Sequence, residues 1–357
     1  MEPDPTRTPE YRPRFPRGSG LGIGILGCGT IAQSAHLPAY TAYGLDVVSV
    51  WSRTPATVAT IMQRFPIVRS VADSVEDLLE DPAVDIVDIA TPPANRLDLV
   101  AAAVRAGKHV LAQKPLTTDV ASLLPLLDEA AERGVRIAVN QNARWAPAWR
   151  VATRLVDMGA IGEVVGVTHI HDKPLPPLVG TPFDDVPHML VVDYLVHWID
   201  ITRCWLRGNT LEAVHAHEAR VPCQPPEAKN PWSVTIGLTC ADGAHAMVRV
   251  VGDVHASQPG CPFWIHGTEG TVRGSILGGS DMVQLDRGGG VTSYPLEGQW
   301  FVDGFAGAMG ELMCAIAEDR EPEHSARDNV ATLSLIEAAR DSVEQGGVTV
   351  HTDGLVL

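Results

Sequence analysis

Gly24-Ile25-Leu26-Gly27-Cys28-Gly29-Thr30-Ile31-Ala32 is the stretch whose reading decides the fold. Its first residues are apolar and read as a short buried strand, and Gly27-x-Gly29-x-x-Ala32 falls where that strand turns into a helix. Glycine is needed there because the turn is tight and a side chain would hold the backbone away from a pyrophosphate, whose charge then rests on the helix N-terminus. A structural turn could use the same glycines, so the surroundings decide. From Leu21 onward, short apolar runs at 22–26, 47–51, 85–90, 109–112 and 136–140 alternate with helical stretches such as 94–106 and 119–133, which stop at Gly107 and Gly134. Strand and helix in alternation predict βαβ units around a parallel sheet, a doubly wound Rossmann domain over residues 21–143.

After Gly159 the texture changes. Apolar runs at 163–170, 234–238, 245–251 and 263–266 follow one another with Gly and Pro but few helices between them, predicting a large, open, mainly antiparallel sheet. Helical patterns at 192–205, 301–317 and 326–344 complete an α+β domain over 144–357, whose last helices are free to pack back on the first domain. A length of 357 residues suits two such domains. Residues 1–20, rich in Pro and Arg, read as a mobile tail or as an arm around a neighbouring subunit.

With 27 basic against 43 acidic residues the chain carries a formal charge of -16, so nucleic acid and anionic membrane are not expected as partners. The six cysteines show no CxxC spacing, which argues against a zinc cage or a disulfide framework and for a reducing, cytoplasmic setting. Nothing at the start reads as a signal peptide. Where the second strand ends, an NAD enzyme would place an acid for the ribose hydroxyls; here stand Trp51-Ser52-Arg53-Thr54. A hydroxyl followed by a forked guanidinium suits a ribose 2′-phosphate, which favours NADP. In the alternative, Arg53 stacks on adenine or points to water and NAD serves.

Downstream, Asp88-Ile89-Ala90-Thr91-Pro92-Pro93 leads to Gly107-Lys108-His109-Val110-Leu111-Ala112-Gln113-Lys114-Pro115. Then come Asn142-Ala143-Arg144-Trp145, Gly159-Ala160-Ile161-Gly162, Asp193-Tyr194-Leu195-Val196-His197 and Gly267-Thr268-Glu269-Gly270. In this order the motifs resemble the Gfo/Idh/MocA oxidoreductase family over nearly everything after the first twenty residues. The resemblance implies an NADP- or NAD-dependent dehydrogenase acting on a sugar, inositol or related polyol. It places catalysis on Lys114, Asp193 and His197, and the cofactor on Gly27, Gly29, Thr30, Ile31, Ser52, Arg53, Thr91, Pro92, Gln113, Lys114 and Asn142. Substrate contacts are expected from Lys114, Trp145, His171, Lys173, Asp193 and His197. Two departures stand out. Gln113 replaces the family's glutamate, removing a negative charge beside Lys114, and Met189-Leu190 and Val191-Val192 replace glycine pairs before the acid. Relatives also pair through the second domain's sheet, so a homodimer or homotetramer is expected.

These residue types suit the chemistry. Oxidising a secondary alcohol needs a base titrating near neutrality, which His197 supplies, while Lys114 polarises the same oxygen and Asp193 orients or charge-balances the pair. Four residues apart on one helix, Asp193 and His197 would share a face. The alternating His169 and His171, and His215 and His217, lack a third ligand at a recognisable spacing and read as core or solvated histidines rather than a metal site. Two other functions fit the same fold: a dinucleotide sensor without catalysis, and a glycoside-processing enzyme that oxidises its sugar transiently.

Overall fold

The computed structural model describes residues 7–18, 20–222, 224–252, 257–278 and 281–357; Cys223 and part of the N-terminal segment lie outside them. The chain divides into two compact units. One comprises residues 12–146 and 298–330, the other residues 1–11, 147–297 and 331–357.

Among the described residues the first unit holds a six-stranded sheet. Its strands are β1 (Ile23–Leu26), β2 (Val47–Trp51), β3 (Val68–Val71), β4 (Ile86–Ile89), β5 (His109–Ala112) and β6 (Ile137–Val139). The order is β3-β2-β1-β4-β5-β6 with every pairing parallel. β1, β4 and β5 are almost wholly buried because helices cover both faces, which is why each is mostly apolar, Asp88 in β4 and His109 at the start of β5 being the exceptions. Helices α1 (Leu37–Tyr43), α2 (Pro55–Arg64), α3 (Val75–Glu80), α4 (Arg96–Arg105) and α5 (Val120–Glu132) supply the crossovers. β3 carries three exposed residues in four, and so shows no apolar run to announce it.

Two further segments complete the packing of this unit. Residues 12–18 are not a loose tail: Phe15 packs against the core and lies 5.5 Å from the Tyr43 ring, Arg12 lies 3.9 Å from Asp303, and the Arg14 carbonyl accepts from the Cys314 thiol. In addition, α8 (Phe305–Ala317) belongs to this unit, with Phe305, Met309, Leu312 and Met313 sharing a core with Tyr40, Val47 and Ile86. The span Trp300–Ala317 is long and apolar enough by composition to cross a membrane, but most of it is buried in that core.

The second unit contains α6 (Pro147–Asp157), β7 (Val164–His171), α7 (Val196–Trp205) and β8 (Thr210–Ala219). β9 (Ser233–Cys240), β10 (His245–Val251), β11 (Cys261–Gly267), β12 (Thr271–Ile276), β13 (Met282–Asp286) and β14 (Val291–Tyr294) follow. Most of α9 (Ala326–Glu344), then β15 (Val350–Val356), complete it. Its nine-stranded sheet runs β14-β13-β12-β11-β7-β10-β9-β8-β15. All pairings are antiparallel except β7 with β10. Alternation is clearest in β9, where Val234, Ile236, Leu238 and Cys240 are buried and Ser233, Thr235, Gly237 and Thr239 are not. Helices α6 and α7 cover the buried face, where Trp149, Trp198, Trp205, His169 and Phe263 form an aromatic cluster.

Candidate active site

In a parallel sheet the C-terminal ends of all strands lie along one edge, and the strand order here reverses between β1 and β4, the position where such sheets bind ligands. Gly27 donates its N–H to the Trp51 carbonyl at 2.9 Å and sits at φ +100°. A Cβ there would stand 3.0 Å from the Ala90 carbonyl carbon and from Thr91 N and Cγ2, so only glycine passes. Gly29 differs: a Cβ built on it meets no atom within 4 Å. That is open space over the first helical turn, which the Gln33 N–H to Gly29 carbonyl bond begins, and the leading N–H groups of a helix have no partner inside it. The loop therefore fits a dinucleotide pyrophosphate. Cys28 between the glycines is buried, and burial pushes its thiol up to about 12, so it packs rather than reacts.

Around this rim stand the other expected cofactor residues. Thr30 and Arg53 are exposed, Ile31 and Ser52 half-buried, Thr91 half-buried and Pro92 exposed. Gln113 is buried, and its Oε1 accepts the Lys114 N–H at 2.9 Å; Lys114 is half-buried and precedes a cis proline. Arg96, which sequence reasoning missed, is buried and donates to both the Thr91 and the Pro115 carbonyl, clamping the loop after β4 to the loop after β5. Behind Gln113 lie His36, Tyr40 and Asp88, all fully buried and also missed. The only sequence signal was a polar residue placed inside an apolar run.

Two of the expected site residues in this unit are held by contacts within it. Asn142 is buried with Oδ1 accepting from Trp300 Nε1 at 2.7 Å and Nδ2 donating to the Asn140 carbonyl, which fixes its side chain. Trp145 is also buried, edge-on to His324 at 4.7 Å and pressed against Gly307, where a Cβ would come within 2.5 Å of it.

In the second unit Asp193 and His197 are both half-buried, but one regular helix does not carry them. Asp193 belongs to a π-helical turn, Leu190–Tyr194, closed by the Leu195 N–H to the Leu190 carbonyl at 2.9 Å. Leu195 then breaks the geometry before α7 starts at Val196. The widened turn changes the angular step between acid and histidine from that of an α-helix, and π-bulges of this sort recur at functional sites. Met189, Leu190 and Val191, which occupy the glycine-pair positions, are buried. His188 leads into the turn at φ +54° and is held by Glu218 at 2.7 Å from its Nδ1.

His171, expected among the substrate contacts, stands at the end of β7. Its ring is buried, Nε2 meets the Tyr194 hydroxyl at 2.8 Å, and burial with the nearby Lys173 charge brings its pKa down to about 4. Lys173 is half-buried, and its charge acts on Asp281 and on the Cys261 thiol. His169, one strand pleat earlier, is stacked on Trp205 and lowered by burial to about 3. His215 and His217 are exposed on β8.

Comparison with known proteins agrees with this architecture. A model of the oxidoreductase family with an NAD-binding Rossmann fold matches residues 21–141, and the Gfo/Idh/MocA C-terminal domain matches residues 149–273. A 1,5-anhydro-D-fructose reductase from Ensifer adhaerens is 29% identical over 322 residues, covering 87% of this chain and 92% of the relative. An inositol 2-dehydrogenase from Acidothermus cellulolyticus is 26% identical, covering 90% and 92%. Among solved structures, an Agrobacterium radiobacter oxidoreductase in complex with NAD+, L-tartaric acid and magnesium superposes with a TM-score of 0.80 at 22% identity, covering 93% of this chain and 98% of its own. A 3-ketoreductase from Actinomadura kijaniata in complex with NADP and TDP-benzene gives 0.71 at 25% identity, covering 91% and 97%. With both of its domains matched in order by models of one family, the chain belongs to the Gfo/Idh/MocA oxidoreductases.

Proposed function

We propose that this protein transfers a hydride between a nicotinamide dinucleotide and a secondary alcohol or carbonyl carbon of a sugar, an inositol or a related polyol. The observation that carries the reading is the rim at the switch point of the parallel sheet. There an obligatory glycine, an open glycine and the Gln113-Lys114 pair stand at the ends of β1 and β5. The reductase and dehydrogenase names of the relatives that match this chain almost end to end support the substrate class.

The backbone from Gly27 to Ile31 would hold the pyrophosphate, and Ser52 and Arg53 the adenosine ribose. When bound, the dinucleotide supplies the hydride acceptor or donor. The remaining chemistry falls to side chains of this chain. Lys114 polarises the reacting oxygen, His197 takes its proton during oxidation and returns it during reduction, and Asp193 orients the imidazole. The exposed Arg53 at the end of β2 supports NADP over NAD. Lys173, half-buried just after β7, would donate to a polyol hydroxyl. The strand face bearing Thr168, Ile170, Met247 and Trp264 is only partly buried within one chain, which supports pairing of subunits through the nine-stranded sheet. Buried thiols at Cys28, Cys240, Cys261 and Cys314 fit a reducing cytoplasm.

The test is a screen of sugars, inositols and their keto derivatives with NAD and NADP and with their reduced forms, following nicotinamide absorbance. Turnover of at least one polyol is expected. A chain that binds dinucleotide yet turns over nothing would be a sensor instead.

A further inference from the structure

The amide of Gln113 has no freedom in how it points. The Lys114 peptide N–H can only donate, so the atom 2.9 Å from it is the Gln113 oxygen, and the Gln113 nitrogen faces the opposite way. That nitrogen lies 3.5 Å from Nε2 of His36. An NH2 group also only donates, and two donors do not face each other, so His36 Nε2 presents its lone pair. Asn140 Nδ2 approaches the same nitrogen at 3.4 Å. The ring proton therefore sits on Nδ1, 2.6 Å from Asp88 Oδ2, an oxygen that also accepts from the Tyr40 hydroxyl at 2.6 Å. Phe305 closes the last side with its ring 4.8 Å away. His36, Tyr40, Asp88 and Asn140 are wholly buried, so partners rather than water decide which nitrogen is protonated.

We propose that His36 is a positioning residue for the Lys114 peptide, acting through Gln113, and that glutamine at position 113 holds the imidazole neutral with its proton toward Asp88. This rests on the reading of Lys114 as the group that polarises the reacting oxygen. A glutamate at 113 would reverse the arrangement. One carboxylate oxygen would still accept from the Lys114 N–H, but the other would set an acceptor against an acceptor at His36 Nε2. The contact is then favourable only if the ring takes a second proton and becomes an imidazolium between two carboxylates. The change from glutamate to glutamine thus does more than remove a charge beside the lysine: it selects the state of a wholly buried histidine.

The experiment uses the full chain with 15N-labelled histidine, the His36 signals being assigned by their loss in His36→Gln. The expected spectrum at neutral pH shows a protonated Nδ1 and a bare Nε2, and Gln113→Glu shows both nitrogens protonated. An Nε2–H tautomer or an imidazolium in the native chain overturns the proposal, as does a Gln113→Glu ring identical to the native one. With a polyol identified by the screen, His36→Leu is expected to lower kcat about tenfold to a hundredfold at unchanged dinucleotide affinity, as for a displaced catalytic group. His36→Gln, which keeps a donor and an acceptor, is expected to recover most of that loss. A folded His36→Leu with native kcat overturns the positioning role, and if that variant does not fold the nitrogen spectra of Gln113→Glu decide. Those spectra need no turnover, so absence of polyol activity refutes the enzymatic reading without touching the histidine result.

Discussion

Adding one methyl group at each of two neighbouring loop glycines should separate folding from cofactor binding. At Gly27 the methyl is placed on a residue at φ +100° and stands 3.0 Å from the Ala90 carbonyl carbon and from two atoms of Thr91. Backbone strain of this kind costs about 1–3 kcal/mol. At about 2–4 °C per kcal/mol for a domain of this size, Gly27→Ala should melt roughly 2–12 °C lower than the native chain. At Gly29 the methyl touches no atom within 4 Å and the residue is outside the left-handed region, so Gly29→Ala should be unchanged or more stable by about 0.4–1 kcal/mol. The same methyl occupies the space a pyrophosphate needs in order to meet the backbone, and dinucleotide Kd should rise about tenfold or more, equivalent to about 1.4 kcal/mol. Melting followed by circular dichroism and titration followed by dinucleotide fluorescence read the two effects independently. If Gly29→Ala binds dinucleotide like the native chain, or melts as low as Gly27→Ala, the assignment of the loop is wrong.

Arg53→Ala should weaken NADP by about tenfold to a hundredfold through loss of a charge-assisted contact while leaving NAD nearly unchanged; equal losses for both cofactors in paired titrations would place Arg53 on the adenine instead. Lys114→Ala and His197→Ala should each lower kcat by about a hundredfold to ten-thousandfold, with dinucleotide binding affected far less; native turnover in both removes the assigned chemistry. Burial lowers His169 from 6.5 to about 3 and His171 from 6.5 to about 4, so in this range the unfolded chain binds protons that the folded chain refuses. The stability is therefore complete above pH 6.5 and is lost as pH falls from there toward about 4 for His171 and about 3 for His169, at no more than about 1.4 kcal/mol per pH unit for each histidine. His169→Phe, which keeps the ring packing against Trp205, should make the fall of the melting temperature over that window shallower, leaving the share of His171; an unchanged slope would show that His169 does not contribute to acid unfolding.

The central strands were legible because parallel strands covered on both faces are mostly apolar, and Gly107 and Gly134 mark where two of the helices stop. β2, β5 and β10 fall on the expected residues, and β1 differs by one. β3 and β8 were not legible. β3 exposes three of its four residues, and β8 carries Glu212, His215, His217 and Glu218, so neither shows an apolar run. The glycine loop could be named from its spacing, and Lys114 through the resemblance carried by the ordered motifs. Their supports could not: Arg96 reaches carbonyls five and nineteen residues away, and His36 meets Asp88 across 52 residues.

Local periodicity and turn chemistry thus determined, from the amino acids alone, a parallel dinucleotide-binding sheet followed by a mainly antiparallel one. Those signals arise from neighbours within a few residues and survive in any single chain read by itself. Which polar groups are buried together was decided only when distant segments met. Asp88 beneath the glycine-loop helix, the π turn that widens the approach from Asp193 to α7, and the burial of His171, Asn142 and Trp145 all depend on contacts that folding creates. Desolvation and hydrogen-bond partners set the role of such groups, and neither is written in the residue type.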